Sequence, residues 1–466
     1  MISPSILEQL CCLSCASAGS LSAGNTHVDC THCGASFPYV NGQYLVLLQD
    51  SEQAIAQAYR EYDAYIHQQS VLAKRLQRGD VRSTYRSVDT RKGIAEGIEH
   101  NTQFIKTIQA QLAPYVKIEK LVATRESNEL SYLSNFDYIR RDWSGQDGAE
   151  KEIDTICRTI GNLAELHDTD RNCAVFLGSG TARIAWELKT KFRLCFSLDN
   201  SITMVSMFAE LRQRDVPLYE INYTNVLHEG NNSVPYTASL RKSSEPATGF
   251  MHFAGDARHQ PFANHSVSTV FSVYFTDLLP LRILMPELKR ILKPGGVFIH
   301  FGPLHYHFQD IEDMLTADEV KAAFESEGFE IVSEDLLPLS HHYSEIALNT
   351  KSYRNWIFAA RKKVQAPLAL SMETVLNLHQ GIRYTSGGSI SADKGDETSG
   401  YQITLPSGEV FSGSELILEI ARRVDGQKTL AEIANDIEQE FDFQIEDKNE
   451  LLNLVTTLTA GGVFRI

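Results

Sequence analysis

Four cysteines and one glycine turn carry the chemistry that can be read first. Cys12-x-x-Cys15 and Cys30-x-x-Cys33 form two knuckles with 14 residues between them. Paired CxxC steps at that distance supply four soft thiolates for a tetrahedral zinc ion, and four protein ligands leave no open position for catalysis. The expected zinc is therefore structural. Half of the eight cysteines of the chain fall here, which argues against a chance cluster and leaves Cys11 as the spare. The second constellation is Gly178-Ser179-Gly180, at the end of the apolar run 173–177 and the start of a helical pattern. Glycines without Cβ let backbone approach a ligand, and the free N–H groups of a helix start face it. Asp199 ends a second apolar run about 20 residues on, where a carboxylate can take both hydroxyls of a ribose. Asp256 follows a third run, placed as a further carboxylate at a ligand-binding edge. Each has a plainer alternative: a turn former for Asp199 and a helix cap for Asp256. Arg183, in the same loop, can pair with a ligand carboxylate or make an ordinary ion pair.

The elements that must position these residues alternate. Strands are expected at 194–198, 250–254, 270–275 and 297–300, with a helix over 281–292 and the turn Lys293-Pro294-Gly295-Gly296 before the last of these strands. That order argues for a parallel, doubly wound α/β sheet. Thr316 and Glu319 have the spacing of a capping box, so a helix should run from there to Glu327. Strands at 329–333 and 356–360 would finish the sheet. Asp277 follows the fourth strand and His307 the fifth, at the carboxyl edge where such sheets bind ligands.

The Lys-Pro-Gly-Gly turn resembles that of class I S-adenosylmethionine (SAM) methyltransferases; Arg183 stands where hydride-transferring enzymes usually carry a third glycine. Further motifs narrow the resemblance. Gly97-Ile-Glu-His-Asn101, Arg141-Asp142-Trp143-Ser144, the loop 178–183 with its Ala185-Trp186-Glu187, Tyr274-Phe-Thr-Asp277, and Gly302-Pro303-Leu-His-Tyr306-His307-Phe308 occur in one order. Over about 91–363 the chain resembles the carnosine N-methyltransferase family, departing from it at Ala182, where that family tends to have glycine. The resemblance implies SAM as cofactor, framed by Gly178, Ser179, Gly180, Arg183, Asp199 and Asp256. Trp143 would wall the pocket, or else be packed between domains. It implies that Asp277 and His307 hold the acceptor imidazole, with Tyr353 a further contact and Tyr343 a looser match. A neutral imidazole is a ready nucleophile near pH 6.5. Asp277 accepting one ring N–H would direct the other nitrogen at the methyl group. His307 could instead be a structural histidine.

Outside this core, residues 1–50 are similar to small zinc-ribbon proteins that bind and activate methyltransferases, implying a docking platform in cis. A domain that small buries little surface, so the metal would hold it together. Residues 51–130 read as helical, with Ala54, Ile55, Ala58, Tyr62 and Tyr65 at spacings of three and four, and the resemblance offers them as a partial lid. The catalytic core would span 131–365, interrupted by a polar excursion at 225–249. Residues 366–466 follow the boundary Gln365-Ala-Pro367. They carry a polar turn at 386–400, a hairpin from Gln402, a second capping box at Thr429 and Glu432, and a helix at 448–460. They resemble PqqD-like winged-helix domains, which recognise leader peptides as an added strand; the receiving edge would lie near 402–405. Acidic Glu432, Asp436, Glu438 and Glu440 disfavour DNA there.

With 466 residues the chain has room for two to four domains. A net charge of −16 disfavours a nucleic-acid partner. No run reaches membrane-spanning length and no export pattern opens the sequence, so a cytoplasmic enzyme is expected. The reading is an N-methyltransferase acting on a histidine imidazole in a leader-bearing peptide. Its rivals are a methyltransferase of free carnosine-like imidazoles, a non-catalytic SAM-binding scaffold, and an RNA methyltransferase.

Overall fold

The apolar runs resolve into an 11-stranded sheet. The computed structural model describes residues 2–80, 85–122, 136–240, 249–364, 370–378, 381–390, 397–405, 410–413, 415–441, 448–460 and 463–465. The strands of the large sheet and its attached ribbon are β1 (Leu21–Ala23), β2 (His27–Cys30), β3 (Ser36–Val40), β4 (Tyr44–Leu47), β5 (Cys173–Leu177), β6 (Leu194–Asp199), β7 (Val216–Ile221), β8 (Ser233–Ala238), β9 (Phe250–Gly255), β10 (Val267–Val273), β11 (Leu292–Gly302), β12 (Phe329–His341) and β13 (Lys351–Lys362). The sheet order is β1-β2-β3-β4-β9-β6-β5-β10-β11-β13-β12. From β9 to β11 the neighbours are parallel, and β13 enters antiparallel between β11 and β12. This is the Rossmann-like order of a SAM methyltransferase core, with the switch point between β5 and β10.

The central strands read as unbroken apolar runs because both faces are covered. Along β5, Ala174 and Phe176 enter one core, whereas Cys173, Val175 and Leu177 enter the other. The helix Asp147–His167 lends Ile156, Ile160 and Ala164 to the first, and Leu281–Ile291 lends Leu284, Met285 and Leu288 to the second. The helix Ala317–Ser326 starts on the expected capping box.

Two expectations change on the first core. The helices Ser51–Arg78 and Val88–Leu112 form, but none of their described residues lines the cavity described below. Their apolar stripe is spent elsewhere: Ile55, Ala58, Tyr62 and Ile105 belong to the core, and the Tyr62 hydroxyl lies 2.9 Å from Thr203. The excursion at 225–249 is not all irregular, since β8 within it pairs with β7 over Val216↔Ala238 to Ile221↔Ser233. The part at 241–248 lies outside the described residues. Among the described residues no helix is long and apolar enough to cross a membrane.

The chain divides into two compact units, Met1–Lys363 and Val364–Ile466. The second has its own core of Leu376, Ile420, Leu430, Ile433, Val455 and Val463 among others. Helices Glu415–Arg423, Leu430–Phe441 and Lys448–Ala460 accompany a three-stranded sheet of Arg383–Ile390, Glu397–Thr404 and Val410–Gly413. Thr429 and Glu432 cap the middle helix reciprocally. Of the polar stretch at 386–400, residues 386–390 and 397–400 are paired strand, because a Gly- and Ser-rich sequence can still satisfy its backbone in a ladder, and 391–396 lie outside the described residues. The proposed receiving edge at 402–405 is corrected too. Its strand is central, paired to Tyr384 through Ile403 on one side and to Phe411 on the other, so it has no free edge. The boundary at Gln365-Ala-Pro367 lies outside the described residues.

Candidate active site and cysteine cluster

At the carboxyl ends of β5, β6, β9 and β10 opens a cavity of about 690 Å³. One half is built by short turns. Gly178 leaves β5 at φ +55°, and a Cβ there would come within 2.1 Å of the Phe275 ring, so only glycine fits. The Ser179 N–H donates to the Leu198 carbonyl at 3.0 Å, and the Gly180 N–H to Asp199 Oδ2 at 2.7 Å. Asp199 Oδ1 accepts the Ser201 N–H at 2.9 Å. Burial pushes the Asp199 carboxyl up to about 6, against the two N–H donors that favour its charged form. Asp256 closes this half and takes the Arg258 guanidinium at 2.6 Å. Ser179, Gly180, Asp199 and Asp256 all line the cavity.

The other half gathers Asp277, His305, His307, His341, Lys351 and Tyr353. Asp277 is tied to the loop after β11: its Oδ2 accepts the His305 N–H at 3.1 Å, and its carbonyl accepts the His307 N–H at 3.0 Å. Burial raises its pKa, with the His305 N–H opposing. A buried chain fastens the two loops from behind. His300 Nε2 donates to the Gly302 carbonyl at 3.2 Å, and so its Nδ1 must accept the Thr276 hydroxyl at 3.0 Å. Tyr274 stands at φ +54°, a strained conformation for a bulky side chain, and its ring faces His341 and Tyr353 at 4.4 and 6.4 Å.

Three expected contacts are not in the cavity wall. Arg183 is buried at 1% exposure, with Glu150 at 3.0 Å, Glu187 at 2.8 Å and its guanidinium 4.9 Å from the Trp143 ring. It does not line the cavity, so it braces the loop from behind. Trp143 is likewise buried and donates to the Thr181 carbonyl at 3.2 Å, the packed alternative. Tyr343 lies over Gly148, where any Cβ would strike its ring, and its carbonyl accepts from Arg140. Arg141, held by Asp142 at 2.7 Å, does line the cavity, as do Arg258 and Lys351. Arg141 sits in the Arg-Asp-Trp-Ser segment, which was the available signal. His341, Lys351 and Glu152 carried none.

The four cysteine sulfurs lie within 4.8 Å of one another. Cys12–Cys33 and Cys15–Cys30 are each 3.7 Å apart, too far for a disulfide at about 2.05 Å. Four thiolates about 2.3 Å from a central ion would be about 3.8 Å apart, so the cluster has the dimensions of a tetrahedral metal site. The ribbon carrying it reaches the core directly, since β4 pairs parallel with β9 at Val46↔Ala254 and Leu47↔Gly255.

Comparison with known proteins follows this geometry. Among solved structures, a SAM-dependent methyltransferase from Methanosarcina mazei matches at 15% identity over 44% of this chain and 98% of its own, with a TM-score of 0.31. Magnesium protoporphyrin IX methyltransferase from Synechocystis matches at 11% over 50% and 97%, with a TM-score of 0.32. Carnosine N-methyltransferase of Rattus norvegicus is 25% identical over 243 residues, which is 48% of this chain and 60% of the rat protein. The Mus musculus protein is 24% identical over 299 residues, 58% of this chain and 74% of its own. The family model for carnosine N-methyltransferase matches residues 120–364, the whole stretch that builds the cavity. As that match spans more than half of the 466 residues, the chain belongs to the carnosine N-methyltransferase family.

Proposed function

We propose that the protein transfers a methyl group from SAM to an imidazole nitrogen of a histidine. The observation that carries this is the division of one cavity between a Gly178–Gly180 and Asp199 cradle and a wall of Asp277, His307 and Tyr353. The residues fit the cofactor: Asp199 and Asp256 offer acceptors for ribose and adenine, and Arg141 offers a cation for the amino-acid carboxylate. When bound, SAM supplies an electrophilic methyl group with a good leaving group. The chain need only hold a lone pair in line and exclude water. Asp277 and His307 are the acceptor-holding groups, and Tyr353 closes the wall.

The cysteine cluster would hold zinc in a structural role. The second unit would act as the selector, binding the leader of a histidine-bearing peptide along an open strand edge. Because 402–405 is covered, that edge belongs to Arg383–Ile390 or Val410–Gly413, the outer strands of its sheet. Tethering would raise the local concentration of a weakly held core peptide to the millimolar range.

The test is methylation, followed by mass spectrometry, of free carnosine and of a leader-bearing histidine peptide by the full chain. Methylated imidazole from either supports the reaction, and product from neither overturns it. Removal of Val364–Ile466 should raise KM for the peptide alone. Equal treatment of both substrates by the shortened chain would overturn the selector role.

A further inference from the structure

The acceptor half contains a histidine–carboxylate pair that the reading above does not use. His341 ends β12 and Glu152 lies in the first turns of the Asp147–His167 helix, 189 residues away in sequence. His341 Nδ1 stands 3.0 Å from Glu152 Oε1. The other carboxylate oxygen accepts the His342 N–H at 3.0 Å, and the Arg141 guanidinium lies 4.0 Å from Oε1. Glu152 is 1% exposed. A carboxylate so placed accepts, so His341 carries its hydrogen on Nδ1 and keeps the Nε2 lone pair. Among the described residues Nε2 has no hydrogen-bond partner, and His341 lines the cavity beside Tyr274 and Tyr353.

Resting on the imidazole reading, we propose that His341, oriented by Glu152, accepts the single N–H of the acceptor imidazole and takes its proton, while the Asp277 carboxylate stabilises the developing positive charge from beside the ring. The step balances. The acceptor's bare nitrogen attacks the methyl carbon, the carbon–sulfur bond breaks with its electron pair going to sulfur, and a methylimidazolium forms. Its remaining N–H proton passes to His341 Nε2, leaving neutral methylimidazole, neutral thioether and a His341 imidazolium beside the Glu152 carboxylate. That proton then passes to solvent.

Geometry favours His341 over Asp277: Asp277 Oδ2 already accepts the His305 N–H, whereas among the described residues no group donates to His341 Nε2. Burial raises the Asp277 pKa and lowers that of His341, so proton affinity alone does not decide between them. A product left charged would also stay paired with Asp277 and leave slowly. The groups facing His341 are Glu152, Arg141, Lys351, His342, Tyr274 and Tyr353. Burial lowers the His341 pKa, and although Glu152 opposes that, the ring is neutral and able to accept at neutral pH.

The experiment is single-turnover methylation of carnosine by the full chain across pH 4–9, with SAM affinity measured separately by calorimetry. With SAM saturating at every pH, and beyond the limb near pH 6.5 set by the acceptor's own imidazole, wild type should lose rate through one further acid limb below the ordinary histidine value. His341→Gln should lower the rate at pH 7.5 by about 10²–10³-fold and abolish that limb, with SAM affinity within twofold. Glu152→Gln should move the limb to lower pH, because the carboxylate holds the His341 pKa up. A wild-type profile without the limb, or a His341→Gln profile that retains it, overturns the proposal. Should His341→Gln lose SAM binding, Glu152→Gln decides: an unmoved limb counts against His341. Wild-type protein that methylates no imidazole would instead sink the reading on which this rests.

Discussion

The two halves of the cavity are built in different ways. On the side proposed for the cofactor, each residue sits at the end of its own strand: Gly178 after β5, Asp199 at the end of β6, Asp256 after β9. Short backbone bonds, such as Gly180 N–H to Asp199 at 2.7 Å, lock neighbouring turns together. The acceptor side is assembled from a helix start, a strained turn at Tyr274, a loop after β11 and the facing ends of β12 and β13. A site for a ligand of fixed shape can be specified locally. A site that chooses an acceptor draws its side chains from distant segments, so each can change without disturbing the cradle.

If that division is right, damage to one half should spare the other. The largest effect belongs to the acceptor side. Asp277→Asn should lower kcat about 10²–10³-fold by loss of charge beside the developing imidazolium, while SAM affinity stays within twofold. His307→Ala should act in the same direction, about 10-fold. Parallel loss of SAM binding in either variant would erase the division.

On the cofactor side, Asp199→Ala should cost about 2 kcal/mol of SAM binding, the value of a hydrogen bond to a charged group, with acceptor KM little changed. The pH dependence sharpens this. Ribose hydroxyls donate to the ionised carboxylate, and burial has pushed its pKa in the free protein up to about 6. Affinity should therefore be full above pH 6 and fall as pH drops through it; Asp199→Asn should be flat. Stability runs the other way. A carboxyl whose folded pKa is raised contributes stability below its unfolded value and loses it as pH rises through about 6. SAM should thus raise the melting temperature most above pH 6, a trend that thermal scans with and without SAM would check.

The same contrast explains what the sequence made legible. Gly178, Asp199, Asp256 and the cysteine knuckles were readable because spacing along the chain sets their geometry. The strand alternation of the core was readable because β5, β6 and β9 are covered on both faces and so are continuously apolar. Arg183 could not be told from Arg141 by position: both adjoin cofactor motifs, and it is the tertiary placement of Glu150, added to the local i,i+4 partner Glu187, that turns one of them inward. His341 and Glu152 had no local signal, since their pairing spans 189 residues. The β7–β8 ribbon was obscured by a polar composition, since its strands alternate instead of running apolar.

The smallest expected effect tests whether the cysteine cluster belongs to neither half. Its ribbon joins the core through β4 and β9 at two residue pairs, and β9 runs directly into Asp256. Leu10, Tyr44, Val46 and Leu47 are buried in the two main cores, so a chelator should loosen the knuckles around residues 12–33 and leave β4 paired with β9. Since Asp256 is also held by Arg258 at 2.6 Å, it should shift only slightly. Chelation, or Cys15→Ser with Cys30→Ser, should therefore weaken SAM binding by a few fold and leave carnosine KM unchanged. Zinc measured on purified protein should approach one ion per chain and fall with the cysteines. Loss of zinc that abolished turnover while sparing SAM affinity would mean that the cluster acts on the acceptor side, and the division of labour drawn here would fail.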